Sequence, residues 1–111
     1  MLKRLYSGSD GQSHLEDLEP PFGQIDGPVL QSVTGITFRR SDPGYFIDFH
    51  PAPRRQYVIT LEGEAEIGLG DGTIHRFGPG DVMLADDLTG KGHTTRVVGD
   101  SPRVSVAIPL D

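Results

Sequence analysis

The sequence predicts an all-β chain, a small antiparallel jelly-roll β-barrel, and three features carry that reading. Runs rich in β-branched and aromatic residues recur at short intervals from Val29 onward. Gly- and Pro-containing turn signals separate nearly all of them. No stretch shows the 3.6-residue apolar period of a useful amphipathic helix.

In chain order, residues 1–28 are rich in Gly, Ser, Asp, Glu and Pro and read as an irregular N-terminal arm suited to packing on a neighbouring subunit. Ser13-His14-Leu15-Glu16 has capping-box spacing, but Glu19-Pro20-Pro21 leaves room for one helical turn at most. The barrel domain is placed at 29–111. Its strand-like runs are Val33–Phe38, Tyr45–His50, Tyr57–Leu61, Ala65–Leu69, Thr73–Phe77, Val82–Ala85, His93–Val98 and Val104–Ile108. Between them stand Asp42-Pro43-Gly44, Glu62-Gly63, Gly70-Asp71-Gly72, Gly78-Pro79-Gly80-Asp81, Gly90-Lys91-Gly92 and Gly99-Asp100-Ser101-Pro102. Eight short strands in a chain of this length close most simply as a jelly roll.

Composition narrows the function. The 111 residues suffice for one core, and 15 glycines with 9 prolines fit short strands and tight turns. A formal charge of −6 with scattered basic residues argues against a nucleic-acid partner, which needs clustered Lys and Arg. The absence of cysteine excludes disulfides, thiolate–metal sites and thiol catalysis. The apolar stretch Val104–Leu110 is too short to span a bilayer, and Met1–Tyr6 turns polar at once, so the expected setting is the cytoplasm, away from membranes.

His50-Pro51-Ala52-Pro53-Arg54-Arg55-Gln56, followed by Gly63, resembles the first motif of the cupin family. His50 falls on its first histidine, Gln56 on its glutamate and Gly63 on its closing glycine, while Ala52 occupies the place of the second histidine. Gly78-Pro79-Gly80-Asp81-Val82 resembles the turn that opens the second motif, and His93 stands near that motif's last histidine. Thr89-Gly90-Lys91-Gly92 replaces its usual Pro-x-Gly, and the chain has no asparagine to end it. The resemblance covers roughly residues 33 to 108. It implies the small single-domain cupin (RmlC-like) fold and one divalent metal ion of open identity, with His50, Gln56 and His93 as ligands.

Two imidazoles suit several transition metals, whereas an amide oxygen is a neutral and weaker donor than a carboxylate. Alternation along a strand puts Phe46, Asp48 and His50 on one face, Gln56, Val58 and Thr60 on another, and His93, Thr95 and Val97 on a third. Asp48 becomes a candidate second partner for His50. Arg54, Lys91 and Thr95 are the candidate substrate-binding residues, since a guanidinium grips a carboxylate with paired hydrogen bonds. Only one of the adjacent Arg54 and Arg55 can point inward. His75 reads as solvated and His14 as a surface or capping residue. The charged glycine loop Asp86–Gly92 fails as a phosphate-binding loop, with Ala85 and Gly92 at two of the required positions. Glu62, Glu64 and Glu66 read as a solvated face.

Three readings stay open at this point. One is a metal-dependent enzyme, of dioxygenase, isomerase, decarboxylase or lyase class, acting on a carboxylate- or carbonyl-bearing molecule. Another is a metal-free small-molecule-binding or sensing module. The third is an acid–base catalyst using His50 or His93. Apolar positions Tyr57, Ile59 and Leu61, opposite the Gln56 face, point to a homodimer.

Overall fold

The computed structural model describes residues 1–18 and 27–110. Ten strands alternate with turns: β1 Leu2–Ser7, β2 Ser13–Asp17, β3 Thr37–Ser41, β4 Phe46–His50, β5 Gln56–Glu62, β6 Glu64–Gly68, β7 Ile74–Phe77, β8 Val82–Asp86, β9 His93–Val98 and β10 Arg103–Pro109. They form a six-stranded sheet in the order β2-β1-β8-β5-β10-β3 and a four-stranded sheet in the order β4-β9-β6-β7. Every pairing is antiparallel except β1 with β8, so the larger sheet is mixed. Among the described residues no helix is long and apolar enough to cross a membrane.

The turns follow from local chemistry. Pro79 and Gly80 occupy the central positions of the β7–β8 turn, where Pro fixes one φ and Gly80 takes the other at +86°. The Asp81 N–H donates to the Gly78 carbonyl at 3.0 Å, and the Asp81 carboxylate accepts from the Gly78 N–H at 2.8 Å.

Two expectations fail at the N-terminal end. Residues 2–17 form a β-hairpin, not an irregular arm, and Ser13–Asp17, whose capping-box spacing allows one helical turn at most, is a strand. The reason is tertiary. Leu5 is fully buried beside Ala85, and Leu15 packs behind it, so a charged hairpin is held by its inner face on β8. Residues 19–21, expected to stop the helical turn, lie outside the described residues. The run Val33–Phe38 is also displaced. Its strand begins at Thr37 and continues to Ser41, while Val33 makes an isolated bridge to Leu110.

The inner faces of the two sheets meet unevenly. Leu5, Ala52, Ile67, Leu69, Phe77, Met83 and Ala85 pack into one apolar cluster. At the other end of the larger sheet the inward positions of β3 and β10 are Thr37, Arg39, Arg103, Ser105 and Ala107, which are too small or too polar to fill the space. A hollow results where the core runs out.

Candidate functional site

The hollow is a cavity of about 500 Å³, bounded by β3, β5, β8 and β10 on one side and β4, β6 and β9 on the other. That volume falls within the range of small-molecule sites. His50, Gln56, His93, Arg54 and Thr95 all line it, as do Arg39 and Arg103. Ala52, at the position of the missing histidine, belongs both to the wall and to the apolar cluster. Lys91 does not line the cavity; its ammonium sits 4.3 Å from the centre of the exposed Phe49 ring. Arg55 points away from it and meets Asp86 at 3.4 Å, which leaves Arg54 as the inward member of that pair.

His50 reaches the cavity through an irregularity that strand alternation does not reveal. On β4, Ile47 pairs with Thr95 and His50 with His93, so three steps along β4 match two along β9. This bulge turns Ile47 and His50 both inward and leaves Phe46, Asp48 and Phe49 outside. The expected shared face of Phe46, Asp48 and His50 is therefore broken. The Asp48 carboxylate turns to the Phe49 N–H at 2.8 Å, and it is the Asp48 backbone carbonyl that accepts from His50 Nδ1 at 2.7 Å. A carbonyl can only accept, so Nδ1 carries the proton and Nε2 is left for the cavity.

His93 is tethered by different means. It is 4% exposed, and its Nδ1 donates to Asp87 Oδ2 at 2.6 Å. Asp87 is fully buried and accepts a second hydrogen bond on the same oxygen from Ser13 Oγ at 2.7 Å. Its Oδ1 is buried with no hydrogen-bond partner among the described residues. The arrangement holds the ring and leaves Nε2 of His93 as the second free imidazole nitrogen. The His50 and His93 rings lie 4.6 Å apart, centre to centre, at 51°.

Gly92 explains how the loop after β8 delivers His93 here. Its φ is +80°, and a Cβ at that position would collide with the His50 carbonyl, so only glycine allows the loop to lie against the end of β4.

The cavity's other end is cationic. Arg103 donates from Nη2 to Thr60 Oγ1 at 3.0 Å, while its Nε is buried without a partner among the described residues. Burial, and then the neighbouring charge of Arg39, push the Arg103 guanidinium below its ordinary pKa. Arg39 stands opposite Ser105, and Arg103 opposite Ser41, so the two arginines are diagonal neighbours on the inner face of the β3–β10 ladder. Among the described residues neither arginine, nor Arg54, has an ion-pair partner, and no carboxylate lines the cavity.

The remaining histidines lie elsewhere. His14 Nε2 is 3.0 Å from Asp10 on the outer side of the hairpin, and His75 Nε2 is 3.2 Å from Thr73 Oγ1. Among the described residues, no three His, Cys, Asp or Glu side chains converge to hold a metal ion.

Two facing sheets with a histidine-lined interior hollow match known architectures. The chain has the cupin fold. A Klebsiella pneumoniae protein with a double-stranded β-helix domain superposes with a TM-score of 0.54 at 23% identity, over 78% of this chain and 80% of that one. A cupin 2 conserved barrel domain protein of Salinispora arenicola gives a TM-score of 0.57 at 21% identity, over 78% and 71%. A cupin-superfamily sugar phosphate isomerase of Silicibacter pomeroyi gives 0.56 at 22% identity, covering 92% of this chain but 60% of its own. No protein-family model matches the sequence, and no curated protein matches it. At these identities the likeness establishes the cupin fold and leaves the chemistry to the residues of this cavity.

Four residues of that cavity or its support, Arg39, Arg103, Asp87 and Ser13, do not stand out in the sequence. Arg39 and Arg103 carry only the signal of a basic residue inside a strand run. Asp87 is one of two adjacent aspartates before the glycine loop, and nothing local separates it from Asp86, which turns outward to Arg4 at 3.0 Å.

Proposed function

We propose that this cupin binds a small carbonyl- or carboxylate-bearing molecule in its cavity and moves a proton on it, with His93 as the proton-transferring group. The observation that carries the reading is the buried contact of His93 Nδ1 with Asp87. A carboxylate that is itself fixed by Ser13 orients the imidazole and stabilises the imidazolium formed when Nε2 takes a proton. His50, 4.6 Å away with its proton fixed on Nδ1, supplies a second acceptor at the same end. Arg54 and Thr95 lie within reach of the bound molecule's polar groups. This chemistry belongs to isomerases and lyases that act beside a carbonyl.

The cupin fold also raises the question of a resident divalent ion held by His50, Gln56 and His93. The donors fit such an ion poorly. They are two neutral imidazoles and a neutral amide, with Ala52 in the place of a further ligand. Among the described residues three guanidiniums line the same cavity and no carboxylate does, an unfavourable setting for a dication.

Substitution of His93 by Gln tests the reading. Exchange of the α-hydrogen of bound small keto acids or aldoses with deuterated solvent, followed by NMR, should occur with the wild type and fall at least 100-fold in the variant. Elemental mass spectrometry on wild type, His50→Ala and His93→Ala protein tests the metal. Near-stoichiometric metal in the wild type, lost in both variants, would replace proton transfer by metal-dependent chemistry.

We also propose a two-fold dimer through the outer face of β3, β10 and β5. Phe38 on the edge strand β3 is 70% exposed there, and Leu61 on β5 is exposed as well. Light scattering should give twice 12.0 kDa; a particle of 12.0 kDa would remove the dimer.

A further inference from the structure

We propose that Arg39 and Arg103 form an oxyanion subsite at the end of the cavity away from the imidazoles, and that the molecule bound is a small dianion. The shared chemistry is two negative charges on oxygen, found in a phosphate monoester or a dicarboxylate. The inference rests on reading the same cavity as a ligand site and names the class of ligand.

Three observations converge on it. The first is an unpaired charge. A partly buried guanidinium with one donor unsatisfied is costly unless something else satisfies it, and among the described residues the Arg103 Nε has no partner. The second is the like-charge neighbour. Placing Arg39 diagonally beside Arg103 raises the cost further, and a bound dianion would reverse both terms. The third is contrast with the rest of the chain. On a protein of formal charge −6, the described residues that line the cavity include three arginines and no acid, whereas Arg4 and Arg76 outside it each contact two carboxylates. Hydroxyl groups of Thr37 and Ser105 lie on the same wall and can complete an oxyanion's coordination.

Geometry sets the length of the ligand. Arg103 and Ala107 mark the two ends of the cavity on β10, and four residues of strand span about 13 Å. An arginine side chain covers part of that distance. A dianionic group held by the arginines therefore places the atoms a few bonds away beside His50 and His93.

The test is calorimetry and thermal unfolding of the full chain with inorganic phosphate and with malonate as probes, ionic strength being held constant with chloride. At least one dianion should raise the unfolding temperature above the chloride control and bind saturably. Binding should weaken at least 10-fold in Arg103→Gln and in Arg39→Gln. It should be retained in Arg40→Gln, whose side chain lies on the outer face of β3. A preference for phosphate assigns a phosphate monoester, and a preference for malonate a dicarboxylate. No response to either dianion, or a response that survives in both Arg39→Gln and Arg103→Gln, overturns the subsite. Arg39 lies on an exposed edge strand, so its variant keeps the test decisive if Arg103→Gln does not fold. His93→Gln should keep the dianion response, which separates failure of the subsite from failure of the proton-transfer reading.

Discussion

The two ends of the cavity obey opposite rules. At the imidazole end His50 Nδ1 and His93 Nδ1 are each tied to an acceptor, by a bulge carbonyl and by an aspartate that a third residue steadies. At the guanidinium end Arg103 has a buried Nε with no acceptor among the described residues, and Arg39 stands beside it with the same charge. One end, apart from the buried Asp87 Oδ1, is prepared in advance; the other carries an unsatisfied cation that a ligand can complete. Wired groups contribute to folding stability, and unpaired ones subtract from it. Stability has been surrendered at the guanidinium end, and a ligand bound there should restore it.

The sharpest way to break this contrast is at Asp87. Asp87→Ala leaves the Ser13 hydroxyl and His93 Nδ1 buried without their acceptor, and urea denaturation should show a loss of about 3 kcal/mol. Ser13→Ala removes one hydrogen bond to a charged group and should cost about 2 kcal/mol by the same measurement. The guanidinium end should respond with the opposite sign. Arg103→Met exchanges an unpaired, partly buried charge for an apolar side chain, and the ligand-free protein should gain about 1 kcal/mol. A loss there would mean that Arg103 is structural. Outside the cavity Arg76 meets Glu64 and Glu66 at 3.4 and 3.1 Å in solvent, so Arg76→Ala should change stability by no more than about 0.5 kcal/mol.

The smallest effect belongs to the exposed β6–β7 turn. The Thr73 hydroxyl and then its N–H hold the Asp71 carboxyl below the ordinary aspartate pKa. Because the folded value lies below the unfolded one, near 4, Asp71 stabilises the fold above that pH. The contribution disappears as pH falls through the folded value. Asp71→Asn should therefore melt slightly below the wild type at neutral pH and converge with it in acid, flattening the acid limb of a melting-temperature profile below about pH 4.

How far the sequence discloses this site depends on the range of the interactions involved. The strand at His93–Val98 and those around residues 45–50, 57–61 and 104–108 follow from composition and turn spacing, which are local properties. His50, Gln56 and His93 reach one cavity in keeping with the motif spacing, and Thr95 follows from alternation with His93. Alternation fails on β4 because a single bulge residue reverses the face of His50 relative to Phe46 and Asp48. Arg39 and Arg103 escape notice because β3 and β10 are far apart in sequence, and facing inward is a property of the pairing. Asp87 and Asp86 are chemically identical neighbours that differ only in which side of the sheet each reaches. The β1–β2 hairpin is hidden for a related reason. Its residues are largely charged or polar, and its inner anchors, Leu5 and Leu15, acquire meaning only against β8.

Ser13 and Asp87 stand 74 residues apart, and the strand that brings them together, β1, runs parallel to β8. A parallel pair of such separation cannot form early in folding, because closing the loop costs entropy before any contact repays it. The jelly-roll strands between them can pair first through neighbouring antiparallel turns, with the hairpin docking as a late event. The oxygen that steadies His93 would then be delivered last, so a chain could possess a complete cavity while its imidazole still swings freely. Appearance of the His93 environment would report completion of the fold more faithfully than total strand content.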